Sequence, residues 1–465
     1  MSSGSLPELS PQPVAGASVQ GKRWRAGTLV YTAAGLIALF GWLLFGEFAW
    51  QLKGRSLNAT TQLFLKRFAA SDFLVGLLVG SVPAALGMLI APIVSVRSDR
   101  HRGRWGRRIP FLLIPLPFVV VSMAGLAFSP VIGGYLHGAL GDGSPGLNLC
   151  VLGVFAVFWG VFEVASIVAN TVFGAFVNDV VPRELIGRFF GLFRMVTVLD
   201  GIIFNYLLLK HAEEYFFWIY VGTGLFYGVG FLLMCLMVKE GEYPPVDKVA
   251  AEAVPGRWES LKAYFRECYS KPFYLWVFAA VMFCAMSFEP VHSFSISYAK
   301  SLGVSMETYG VYLAASYVVS LVSSYFLGYM ADRFHPLRLG IIVMAIYIPV
   351  TALGAIFGTT GPLFCYAFLA HMIISGFYYA SMASVGQRLY PKLKFAQFAS
   401  AAFLLQSALR AILPPGVGAI LDKSGHNYRL TFVASGTLAT IGLVALIVAH
   451  QKFTKMGGPK AYTAP

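Results

Sequence analysis

The sequence predicts an all-α membrane protein with twelve transmembrane helices in two six-helix halves and both termini cytoplasmic. Three observations predict it. Only 12% of the 465 residues are charged against 57% hydrophobic, with a mean hydropathy of +0.69. A soluble domain carries about a quarter charged residues, so the solvent here is mostly lipid. Twelve apolar runs each approach the roughly 20 residues that a helix needs to cross a bilayer. Lysine and arginine gather on one side of those runs.

In order, the runs begin near Thr28, Asp72, Pro110, Leu147, Gly187, Tyr215, Pro272, Thr308, Leu339, Pro362, Ala396 and Thr431. The longest interval, Lys239 to Lys271, follows the sixth. It divides the chain into a half over 28–238, a linker over 239–271 and a half over 272–450, with tails over 1–27 and 451–465. The first tail is rich in Ser, Pro, Gly and Ala and holds no long apolar run, so it reads as a disordered cytoplasmic tail and not a cleavable signal. Gly241-Glu-Tyr-Pro-Pro stops the sixth helix. Beyond it Trp258, Leu261, Phe265 and Cys268 recur at helical spacing, which predicts an amphipathic helix on the cytoplasmic membrane surface.

With the N-terminus inside, 25 of the 35 Lys and Arg fall in cytoplasmic segments and 8 in outside loops. Arg194 and Arg410 fall within helices. The first outside loop, given Lys53, Arg55, Lys66 and Arg67, runs against this bias. The net charge of +14 sits in these helix flanks, so no nucleic-acid partner is expected. Five cysteines lie far apart with no metal or disulfide spacing. No P-loop, His-Glu-x-x-His or Gly-x-Ser-x-Gly occurs, so neither an enzyme, a metal nor a cofactor is expected.

Between the second and third helices runs Ser98-Asp-Arg-His-Arg-Gly-Arg-Trp-Gly-Arg-Arg-Ile-Pro. The matching place in the second half ends Gly328-Tyr-Met-Ala-Asp332-Arg333. An acid and arginines in a short loop can bridge two helix ends by charge-assisted hydrogen bonds. Asp99, Arg100, Gly106, Arg107, Arg108, Asp332 and Arg333 therefore read as a clasp whose release lets the halves separate.

The spacing of Asp99-Arg100 to Gly106-Arg107-Arg108, with Trp105 before the glycine, resembles the extended loop of the glycoside–pentoside–hexuronide cation symporters and of sucrose–proton symporters. Phe40-Gly41-Trp42, Pro92-Ile93-Val94, Phe158-Trp159 and Glu163-Val164-Ala165 look like the sucrose-type branch, as does Asp179 sixteen residues after Glu163. The resemblance implies the major facilitator fold and a secondary active transporter working by alternating access. It further implies a monomer in a bacterial inner membrane that carries a glycoside or disaccharide with protons. Two positions depart from the pattern. Gly87 and Ala91 stand ahead of Pro92 where sodium-coupled members carry two carboxylates, and Gly174 stands where the sucrose branch has an arginine. Arg194 looks like the arginine that contacts sugar in melibiose-type members.

Four acids fall within the apolar runs, where charge is costly: Glu47, Glu163, Asp200 and Glu289. Each reads as a proton-coupling candidate, against a plain structural acid or a rim residue. Trp159, Ser166 and Asn170 share the face of Glu163. Asp200 and Arg410 lie at nearly equivalent depths in the two halves and are expected to pair. Glu289 precedes Pro290 in a helix expected to break there, with His292 on the same face. Trp159, Asn170, Arg194, His292, Tyr378, Gln406 and Arg410 are the substrate-binding candidates, although most aromatics in such a chain are core or lipid contacts. The competing reading keeps the fold and gives it to a lipid or pigment handler or an assembly factor. Polar groups on five helices favour a polar solute over a lipid tail.

Overall fold

The structure is a computed structural model that describes residues 23–243, 257–391 and 394–465. The tail expected over 1–27 lies outside the described residues as far as residue 22. From there Trp24–Ala26 and Leu29–Tyr31 form a small antiparallel hairpin. Among the described residues eleven helices are long and apolar enough to cross a bilayer, and Met306–Phe334, 29 residues long, takes the remaining place as the eighth span. The first six run over Ala33–Arg67, Asp72–Arg100, Ile109–Gly143, Leu147–Val180, Arg183–His211 and Phe216–Met237. After the eighth come Pro336–Phe357, Gly361–Leu389, Gln397–Lys423 and Leu430–Lys455; the seventh is Pro272–Ser301.

The first span departs from expectation. It continues for 35 residues, so Lys53 and Arg55 lie inside the bundle and not in an outside loop. Hydropathy falls at Gln51-Leu-Lys-Gly-Arg, but no proline interrupts the run and Ser71 caps the next helix only after Arg67. The charges are accommodated because other helices answer them.

Three spans carry irregularities that place functional atoms. The second begins as α-helix, widens to a π-turn over Gly76–Ser81 and resumes at Val82. Widening frees a carbonyl, and the indole N–H of Trp159 donates to Leu78 O at 2.8 Å. The seventh is broken between Met286 and Glu289, as the Glu289-Pro290 pair predicts. The eleventh carries Pro414 and Pro415 within it, seated on Gly76 and Gly80 of the second.

One hydrophobic core joins the first half to the ends of the second half that lie farthest from the linker, including Phe294, Tyr309, Phe368 and Phe432. A separate core serves the rest of the second half, from Cys268 and Phe273 to Phe453. The halves are thus fused at the end opposite the linker and packed separately at the linker end. Arg257–Tyr269 is the expected linker helix, and Cys268 is buried against the eleventh span, with its thiol 3.9 Å from Gln397 O. The side chains of Trp258 and Leu261 lie outside the described residues.

Candidate functional site

A cavity of about 540 Å³ lies between the halves. Glu163, Ser166 and Asn170 line it from the fourth span, Asn58 and Trp50 from the first, and Gln406, Ser407 and Arg410 from the eleventh. The glycine-and-alanine face of the second span, including Gly87 and Ala91, leaves room for it. Glu163, Asn170, Gln406 and Arg410 are therefore brought together.

Three ionic arrangements surround this space. Lys53 is fully buried, its ammonium 3.6 Å from the Trp50 ring centre and 4.6 Å from that of Tyr227, and it interacts electrostatically with Glu163. Such an aromatic box stabilises a cation where water cannot. Arg55 donates to Asp200 at 3.1 Å, to Thr197 O at 2.9 Å and to the Tyr317 hydroxyl of the eighth span at 2.9 Å. Arg410 pairs with Glu289 at 2.8 Å. Glu47, buried, accepts from Gln51 Nε2 at 2.7 Å and Thr197 Oγ1 at 2.9 Å.

The pairing expected between Asp200 and Arg410 is thus corrected. Asp200 meets Arg55 within the first half, and Arg410 meets the acid at the break of the seventh span. Equivalent depth along two helices does not fix azimuth, and a residue's difference in register turns a side chain by about 100°. Four of the binding candidates also lie elsewhere. Trp159 is buried in the first half holding the π-turn, and Tyr378 is buried among Phe288 and Tyr379 in the second. Arg194 is exposed and is not among the residues lining the cavity. His292 lines a smaller space of about 100 Å³ on the far side of Arg55, with Asn58, Gln62 and Asn205.

The clasp is real in chemistry and different in place. Arg107 grips both oxygens of Asp179, at 2.6 and 3.0 Å. Arg108 reaches Asp179 at 3.1 Å, Ser98 Oγ at 2.6 Å, and Asp99. Glu240 accepts from the backbone amides of Arg107 and Arg108. Burial pushes the Glu240 carboxyl up, against the pull of those amide bonds. Gly106 sits at φ +97°, and any side chain there would strike Glu240. Among the described residues the partners of Arg107 and Arg108 come from the first half and from Glu240 just past its sixth span, so these arginines tie spans two, three, four and six together and do not join the halves. Arg100 is exposed. Arg333 lies at the end of the eighth span with its guanidinium 5.5 Å from the Phe334 ring centre, and the side chain of Asp332 lies outside the described residues.

The sequence pattern missed Lys53, Arg55 and Tyr317. The available signal was the surplus of intramembrane acids: four carboxylates had only Arg410 and Arg194 to answer them, so more cations had to enter the bundle.

The sequence profile of the Major Facilitator Superfamily matches residues 48–414 and again 291–460. The chain belongs to that superfamily of membrane transporters, and it is a multi-pass membrane protein. Among solved structures it is similar to a bacterial homolog of the human lysosomal transporter Spinster, inward-facing and unoccupied, with 16% identity over 90% of this chain and 97% of that one and a TM-score of 0.65. It is also similar to a peptide transporter POT in complex with sulfate, at 14% identity over 93% and 97% and a TM-score of 0.64. A D-xylose–proton symporter gives 16% identity over 92% and 97% and a TM-score of 0.57. These likenesses are likenesses of fold. No curated protein matches the chain.

Proposed function

We propose that the chain is a proton-coupled symporter of a small polyhydroxylated solute of the sugar class, working as a monomer by alternating access. The observation that carries this reading is the cavity between the halves. Its wall mixes carboxylate, amide, hydroxyl and guanidinium groups from both halves, the inventory that fixes a hydroxyl-rich ligand by many hydrogen bonds. Its volume falls in the usual range for a bound small molecule. Because the halves meet at one end only, rocking them would carry the site from one side to the other. The basic residues gathered at the linker end make that end cytoplasmic, and with Lys53 and Arg55 inside the bundle the exception in the first loop shrinks to Lys66 and Arg67. Proton coupling is supported by four acids within the spans, and by Gly87 and Ala91 where a sodium site would need oxygens.

The test is uptake by proteoliposomes of a panel of labelled pentoses, hexoses and disaccharides. An inward proton gradient should raise accumulation of at least one of them, a protonophore should abolish the gain, and sodium should leave it unchanged. Strict dependence on sodium at constant pH would reject proton coupling. No uptake of any member would reject the solute class.

A further inference from the structure

Within the spans the acids Glu47, Glu163, Asp200 and Glu289 are accompanied by Lys53, Arg55, Arg410 and the exposed Arg194. Arg55 bonds Asp200 and Arg410 bonds Glu289, while Lys53 and Glu163 interact electrostatically without an ion pair between them. Among the described residues Glu47, like Glu163, makes no ion pair; it is buried, and both its hydrogen bonds, from Gln51 and Thr197, fall on Oε1. The charged groups facing it are Arg55 on its own helix and Asp200 on the fifth span.

Resting on the proton-coupled reading above, we infer that Glu47 is the group that takes the coupling proton, one per cycle, and that its charge controls the contact closing the end opposite the linker. A buried carboxylate without an ion pair is far costlier than a paired one, and of the two acids in that position Glu47 is the one whose hydrogen bonds lead to the contact between the halves. The proton adds at Oε2, the oxygen that neither Gln51 nor Thr197 occupies. It comes from water and leaves to water, and no other bond changes.

The connection to the gate is three bonds long. Thr197 donates its hydroxyl to Glu47 and offers its carbonyl to Arg55, and Arg55 bonds Asp200 and reaches across to Tyr317 of the other half. When Glu47 is neutral, Arg55 keeps its bonds to Asp200, Thr197 O and Tyr317, the arrangement seen with the halves closed at this end. When Glu47 is ionised, two carboxylates compete for one guanidinium, and the bond to Tyr317 is the one that lies across the opening. Protonation therefore favours closure opposite the linker, which is the step that must follow loading in a symport cycle.

Spin labels on Asp142→Cys and Thr359→Cys report the opening without a substrate. Both positions are exposed, one in each half, at or just past the ends of spans on that side, and the five native cysteines are buried. In liposomes the wild-type protein should shift from mostly short to mostly long distances as pH rises between about 5 and 9, at least threefold in population ratio. Glu47→Gln should hold the short distance throughout, Tyr317→Phe should lose the response, and Glu163→Gln should keep it. A wild-type response that survives in Glu47→Gln, that vanishes in Glu163→Gln, or that never occurs overturns the assignment. Should Glu47→Gln fail to fold, Thr197→Val keeps the acid and should move the midpoint by about half a pH unit; an unmoved midpoint overturns it as well. A Glu47-dependent response without uptake of any sugar would sink the solute reading and leave this one. Proton-driven uptake undiminished in Glu47→Gln would do the reverse.

Discussion

At each end of the bundle a carboxylate caps two successive backbone amides, and the two cases differ only in which half supplies it. Opposite the linker, Asp422 of the second half accepts from Asp72 and Phe73 of the first, at 2.8 and 2.9 Å. The Asp72 carboxylate in turn receives Lys66 at 2.6 Å from its own half, with His426 at 2.6 Å and Tyr428 at 3.1 Å from the other. At the linker end, Glu240 at the start of the linker caps Arg107 and Arg108 of the first half, and Glu267 of the linker helix meets Lys394 and Gln397 of the second. The same chemistry welds the halves together at one end and stiffens each half alone at the other. A rocking transporter needs that asymmetry: whichever end is open must keep its helix ends ordered without help from across the gap.

The sharpest way to break the comparison is steric. Gly418 of the eleventh span lies directly on the backbone of Asp72, and a side chain there would overlap Asp72 O. Gly418→Val should exclude the closed arrangement at a cost of about 3 kcal/mol or more, a shift of roughly 100-fold or greater toward the open form. Distances between labels at positions 142 and 359 would lengthen at every pH, and transport would be lost. A short distance in this variant would mean that the end opposite the linker closes by some other surface.

Less severe, and more discriminating, is the paired removal of one carboxylate from each end. Asp72→Asn weakens charge-assisted bonds that cross between the halves, worth about 1.5–3 kcal/mol, so it should favour opening by about tenfold or more. Asp179→Asn deprives Arg107 and Arg108 of a shared partner inside one half. It should lower the melting temperature while leaving the label distances unchanged. Should Asp179→Asn instead move the distances and spare stability, the loop would be a clasp between halves after all.

Much of this was legible in the sequence, and the failures have a pattern. Span number, the linker helix, the break at Glu289-Pro290 and the chemistry of the arginine-rich loop follow from periodicity, proline and charge, which are local. The partners of charges are not local. Lys53 and Arg55 read as loop residues because hydropathy scores a lysine as a lysine whether or not Trp50 and Tyr227 surround it. The clasp was placed between halves because recurrence in the sequence says nothing about which helix end supplies the acid; Asp179 and Glu240 settle it in space. Trp159 shares the face of Glu163 and still points into the core, because the π-turn at Leu78 leaves a carbonyl that its indole satisfies. The central cavity was half visible: Glu163, Asn170, Gln406 and Arg410 do line it, while the partner of Arg410 was misassigned.

The smallest expected effect concerns the linker helix, where the comparison can be sharpened without touching transport. Glu267 lies at the surface, and its hydrogen bonds from Lys394 and Gln397 hold its carboxyl below the usual range. An acid depressed in the docked state contributes above its free value of about 4.3, and that contribution is lost as pH falls through the lower, docked value. Docking should therefore be indifferent to pH from neutrality down to about 4 and loosen only below it. Because the pair is exposed and screened by salt, its share is small. The Tyr264 hydroxyl on Ser400 at 3.0 Å, the Tyr269 hydroxyl on Ala401 O at 2.9 Å and the buried Cys268 also hold the helix. A spin label at Ala263→Cys, an exposed position on this helix, should show slightly greater mobility in Glu267→Gln at neutral pH, matching the acid limit of the parent. Equal mobility in the two proteins would mean that the tyrosines and Cys268 alone seat the helix, and that the linker end of the second half is stiffened by packing and not by charge.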